Sequence, residues 1–151
     1  MTKRIAVVLC LLLVSAACTK QSATNNSESP MHKITVGSAE LNVEIADTQA
    51  SREKGLSNRD HLPEDQGMLF DFTNTNINRP SFWMKETRFN LDLLWIKNNV
   101  VIAVTEDVPA PKNPDEILPS YPAPDPVDTV VEVNSGWVKR HNITVGDKIT
   151  R

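Results

Sequence analysis

From Lys33 onward, apolar and polar side chains alternate with a period of two along much of the chain, and that period predicts strands. In Glu40–Ala46, Leu41, Val43 and Ile45 share one face while Asn42 and Glu44 share the other. Paired with Lys33–Val36 across Gly37-Ser38, this segment reads as a half-buried hairpin. Gly67–Phe72 (GMLFDF) and Thr129–Val133 read as further strands, and Asp147–Thr150 as a short closing one. The densest apolar block is Pro80–Thr105, which holds two of the three Trp and two of the four Phe. It divides into Ser81–Lys85, Leu91–Ile96 and Val100–Thr105. The Lys97-Asn98-Asn99 stretch makes a hairpin turn between the last two, because Asn tolerates positive φ.

Two short helices interrupt the strands. Gln49–Lys54 is offered an N-cap by Asp47-Thr48 and a stop by Gly55. Gly136–Arg140 is offered a cap by Ser135. Thr73–Arg79 is an Asn-rich loop. Asp107–Asp128 contains seven of the ten Pro, a density that excludes helix and central strand and predicts a long rim or lid loop. About eight short strands and two short helices predict an all-β fold: a single β-sandwich or barrel-like domain over residues 33–151, not a parallel sheet with crossover helices. The chain's 151 residues suffice for one domain with a real core.

The first residues follow another pattern. Met1–Arg4 is basic, Ile5–Val14 is a ten-residue apolar run, and Ser15-Ala16-Ala17-Cys18 follows. That is the order of a secretory signal over residues 1–17, and the run is too short to cross a hydrocarbon layer of about 30 Å. A Cys after two small residues resembles the lipobox of bacterial lipoproteins. The resemblance implies that the Cys18 thiol and freed amine carry acyl chains, which suffice for stable membrane anchoring. Thr19 in place of Asp implies, by the same resemblance, forwarding to the outer membrane, facing the periplasm. Residues 18–32 then form a polar tether of roughly 20 Å reach.

Charge narrows the partners. The formal net charge is −3, and loss of the leader, with Lys3 and Arg4, leaves 14 basic against 19 acidic side chains. No basic stripe is present, which argues against nucleic acid. Cys10 and Cys18 are the only cysteines, so no disulfide framework is expected. His32, His61 and His141 stand apart without metal-ligand spacing. No cofactor motif, phosphate loop or nucleophile elbow is present.

Candidate chemistry rests on charges within apolar runs. Asp92 shares a strand face with Leu94 and Ile96, and a buried acid needs a partner, for which Lys85 or an Arg is available. The other reading sets Asp92 at the strand start, solvated or bound to backbone of the turn Arg88–Asn90. Glu132 shares a face with Val130 and Asn134, while Val131 and Val133 face the core, so plain outward exposure competes with a site. Arg52 and Arg59 flank the first helix and can hold an anion or a carboxylate. Trp83 beside Lys85 can stack on a sugar or ring if exposed; Met68 and Met84 read as core. Arg52, Arg59, Trp83, Lys85, Asp92 and Glu132 are therefore the candidate pocket. Asp92 with Glu132 is the acid pair that hydrolytic or lyase chemistry would use.

Three blocks, Ala46–Phe72, Pro80–Ile96 and Val130–Ile149, together resemble the bacterial and archaeal family called domain of unknown function 192. The resemblance runs over Ile34–Ile149 in the family's order. Glu86 stands where the family usually has Asn, and Thr129-Val130-Val131-Glu132 where it often reads Tyr-Val-Leu-Glu. The resemblance implies a β-sandwich and frequent export or lipid anchoring, and it implies no activity. The expected function is a cell-envelope lipoprotein with a non-catalytic domain that binds a small molecule, a glycan or an envelope protein at a pocket rimmed by the Pro-rich loop. An envelope hydrolase or lyase using Asp92 and Glu132 is the alternative, and docking to another envelope protein through the Pro-rich loop is a third.

Overall fold

The computed structural model describes residues 30–113 and 115–151. The expected leader, Cys18 and most of the tether lie outside the described residues.

Among the described residues, nine strands and two short helices follow in order. They are β1 (Met31–Val36), β2 (Ala39–Ala46), α1 (Gln49–Lys54), β3 (Gln66–Asp71), β4 (Ser81–Phe82), β5 (Leu91–Lys97), β6 (Val100–Val108), β7 (Tyr121–Pro122), β8 (Thr129–Asn134), α2 (Trp137–Arg140) and β9 (Ile149–Thr150). Seven strands form one sheet in the order β6-β5-β8-β3-β2-β1-β9, and β4 and β7 make a separate ribbon. The large sheet curls until its edges meet. Val100 bridges Lys148, and Val101 N–H donates to Asp147 O at 2.9 Å beside β9.

Curling gives the sheet two buried faces. Inside lie Leu41, Val43, Leu69, Leu94, Val131 and Val133, with Trp137 and Ile143 from the segment around α2 packed among them. Outside lie Met68, Phe70, Leu93, Trp95 and Val130, covered by Leu56, Met84, Ala123 and Val127 from the connections. β5 and β8 are buried on both faces, so every residue from Leu91 to Ile96 and from Thr129 to Val133 is buried. Simple in–out alternation therefore fails at the centre of the sheet, where both faces are dry.

Local signals set several joints. Thr48 Oγ1 accepts from Ser51 N at 3.0 Å as the α1 cap, and Gly55 ends that helix at φ 48°. Asn98 and Asn99 take φ 50° and 60° in the β5–β6 turn, as a primed hairpin requires. Gly67 lies so close to β8 that a Cβ there would meet Glu132 O at 2.7 Å.

Four expectations are corrected. The pair β2–β3 runs parallel, Asn42 opposite Gln66 through Ala46 opposite Phe70, with α1 in the crossover. Ser81–Lys85 is not a central strand: only Ser81–Phe82 pairs, and the chain then turns at Glu86, φ 57°. The Pro-rich segment does contain strand. β6 runs on to Val108, and Pro122 sits in the two-residue ribbon with Tyr121 opposite Phe82, where a missing N–H is tolerated. Ser135 does not cap α2; Gly136 does so by conformation, φ 78°, and the Ser135 hydroxyl donates to Asp107 at 2.8 Å.

Candidate functional site

A cleft of about 690 Å³ opens on the outer face of the sheet. Phe70 of β3, Phe72 just after that strand and Glu132 of β8 line it. α1 and the turn after it, through Arg52, Gly55 and Leu56, form one side. Thr75–Arg79 and Pro80–Trp83 form the other. Phe82 meets Phe70 edge-on at a centroid distance of 4.9 Å and Trp95 at 5.7 Å, so the aromatic wall is fixed by its own packing.

Register places Glu132 at the cleft. It lies opposite Met68 on β3 and Leu93 on β5, both of the outer core. Only 5% of Glu132 is exposed. Its flanks offer thioether and alkyl groups, and its carboxyl makes no hydrogen bond or ion pair among the described residues. Burial alone pushes that carboxyl up to about 8, because its largely apolar surroundings solvate the ionised form poorly. At neutral pH it is an uncharged acid with an O–H to donate. The plain exposure that competed with a site for Glu132 is thus corrected: it does face outward, into the cleft, but the outer face of β8 is covered.

Arg52 also borders the cleft. Its Nη1 donates to Asp47 O at 2.6 Å and Asp71 O at 2.9 Å, and the guanidinium stands 5.3 Å from the Phe72 ring centre. These contacts tie α1 to β3 and hold the side chain in one place. Trp83 lies at the mouth, 59% exposed, with Lys85 Nζ 5.5 Å from its ring centre.

The other expected pocket residues are elsewhere. Arg59 is ion-paired with Glu44 of β2, Nη2 to Oε2 at 2.8 Å, and that bond raises its pKa. Lys85 is exposed and does not line the cleft. Asp92 is wholly buried on the inner face: Oδ1 accepts from Asp107 N at 3.0 Å and Oδ2 from Val138 N at 3.1 Å. Its partners are main-chain amides, not Lys85, an Arg or the Arg88–Asn90 turn. Because Leu93 is opposite Glu132, its neighbour Asp92 faces the interior with Val133. The two acids stand on opposite sides of one sheet and cannot act on one substrate, which removes the acid-pair chemistry. The Pro-rich loop does not rim the cleft either; the Asn-rich loop does, through Thr75, Asn76 and Ile77.

Three features of the cleft were not anticipated: the Phe70, Phe72 and Phe82 wall, Thr87, and the Asn-rich rim. Phe70 and Phe72 two apart in GMLFDF were a visible signal for a shared face. Among the described residues no cluster of three or more His, Cys, Asp or Glu is placed to hold a metal. No described helix is long and apolar enough to cross a membrane.

The family model DUF192, described as uncharacterized ACR, matches residues 32–151. The crystal structure of a candidate transcription regulator from Sinorhizobium meliloti 1021 is similar, with 30% identity over 81% of this chain and 94% of that one, at a TM-score of 0.69. A protein of unknown function from Novosphingobium aromaticivorans DSM 12444 is similar at 28% identity over 84% of this chain and 89% of that one, with a TM-score of 0.71. No curated protein matches the chain.

Proposed function

We propose, from the premise that the chain belongs to the DUF192 family of uncharacterized proteins, that it is an exported, lipid-anchored binding protein whose outer cleft takes a small molecule. Residues 1–17 are its signal, Cys18 carries the acyl chains, and the domain stands on the periplasmic side of the outer membrane. The observation that carries the binding reading is Glu132: a buried acid without a partner among the described residues, opening on an aromatic-walled cleft. Buried polar groups are ordinarily bonded, so one left open at a cleft supplies the fixed point by which a ligand is oriented. The cleft volume of about 690 Å³ falls in the range of small-molecule sites, about 300–1,000 Å³. Among the described residues no base or nucleophile is hydrogen-bonded to Glu132, and burial alone acts on its carboxyl, which suits recognition better than turnover.

Two experiments test the two halves. A clickable fatty acid should label the wild-type chain and leave Cys18→Ser unlabelled; equal labelling of both overturns the anchor. A thermal-shift screen of envelope metabolites and glycans on the chain lacking residues 1–20 should find a stabilising ligand. Its effect should vanish in Asn76→Trp, which fills the mouth from an exposed position. A ligand that stabilises both proteins equally binds elsewhere and overturns the cleft.

A further inference from the structure

Resting on the cleft as the ligand site, we infer that its ligand is an apolar body with an anionic oxygen group at one end and a neutral hydrogen-bond acceptor at the other. The anion would meet the cations of the mouth, and the acceptor would take the O–H of Glu132.

The charge of the lining sets this polarity. The charged side chains that line the cleft with Glu132 are Arg52, Glu53 and Lys54 of α1 and Arg79 before β4. Glu53 already accepts from Gln49 Nε2 at 2.8 Å. Arg79 stands 3.7 Å from Asp125 across a largely exposed contact, which is weak. Arg52 is anchored by Nη1 alone, and its other N–H groups make no hydrogen bond among the described residues. The strands beside Glu132 face it with Met68 and Leu93, neither of which titrates. Burial keeps Glu132 protonated until about pH 8. The mouth is thus cationic and the floor is an uncharged donor. Phe70, Phe72 and Phe82 between them offer surface only to an apolar body.

A cationic ligand would gain at Glu132 only by ionising it, and would meet three cations against the single carboxylate of Glu53 on the way in. A ligand whose only acceptor is the anionic group held at the mouth would leave the floor unsatisfied. The polarity therefore makes a signed prediction about pH: affinity for such a ligand falls as Glu132 ionises, because the donor disappears and a negative charge replaces it.

The test compares three matched probes by calorimetry on the chain lacking residues 1–20, which keeps every described strand and helix, all within Met31–Thr150. The probes are acetylphenylbutyrate, ethylphenylbutyrate and acetylphenylbutylamine. The keto acid should bind tightest below the Glu132 pKa of about 8. Ethyl in place of acetyl should weaken binding roughly three- to tenfold. Arg79→Ala, at an exposed position, should weaken the keto acid roughly two- to fivefold without weakening the amine. Above the pKa the wild type should lose the keto acid. Glu132→Gln, which keeps a donor and cannot ionise, should hold its affinity unchanged across the range. An amine that binds as tightly as the acid overturns the anionic class, and an ethyl analogue that binds as tightly as the acetyl overturns the donor role; either leaves the cleft standing. Failure of all three probes overturns the inference. The cleft falls with it only if the metabolite screen also yields nothing that Asn76→Trp abolishes.

Discussion

Glu132 is paired with Leu93, so Asp92, one residue away on the same strand, points through the sheet into the opposite core. Two acids that are near neighbours in space thereby have separate duties. Asp92 accepts two main-chain amides and holds β6 and α2 to β5. Glu132 accepts nothing from the described protein and opens on the cleft.

Removal of Asp92 should cost much of the stability. Asp92→Ala leaves the amides of Asp107 and Val138 buried without acceptors, a loss of about 3 kcal/mol or more. Urea unfolding measures it, and a loss below about 1 kcal/mol would mean that those bonds are not made.

The pH dependence of stability should run opposite to that of a paired carboxylate. The folded-state pKa of Glu132 is about 8 against an ordinary 4.5, so folding favours the protonated form. Its contribution is whole below pH 4.5 and is lost as pH rises from there through 8, at no more than about 1.4 kcal/mol per pH unit. Glu132→Gln should remove that slope. Parallel curves for the two proteins in urea across this window would show that Glu132 is not the cause.

Gly67→Ala should be harmful although its backbone is ordinary. The new Cβ would lie 2.7 Å from Glu132 O, a main-chain atom that cannot step aside, so β3 must part from β8. A destabilisation of about 1–3 kcal/mol is expected, together with faster amide exchange in β3 and β8. Wild-type exchange in those strands would contradict the close approach.

Asn99→Gly should be neutral or raise stability by a few tenths of a kcal/mol, since Gly takes the φ of 60° without steric cost. Asn98→Val, at φ 50°, should lower it by about 1 kcal/mol. Thermal melts compare the two; equal melting points would mean that the turn adopts another geometry.

Local chemistry was legible in the sequence where a decision is made over a few residues. Thr48 and Gly55 bound α1 as read, the Asn98-Asn99 turn joins its strands as read, and Leu91–Ile96 is a strand. The all-β class follows from these. What could not be read is set by partners far along the chain. Glu132 looks solvated if one face of its strand is wet, whereas that face packs in a second core with Leu56, Phe82 and Met84 from the connections. Ser81–Lys85 alternates like a strand, but only two of its residues find a partner, in a segment whose Pro content argued against one. The closure of Val100 on Lys148 joins residues that no local pattern connects. Of the six candidate pocket residues, Arg52, Trp83 and Glu132 line the cleft, while Arg59, Lys85 and Asp92 do not.

The neutral, unpartnered acid at the floor of the cleft is best examined directly, by following the Glu132 side-chain carboxyl carbon through an NMR pH titration, assigned by its disappearance in Glu132→Gln. A midpoint near 8 is expected for the free protein; a midpoint at or below the ordinary value of 4.5 would mean that the carboxyl is solvated or paired, and would contradict the site.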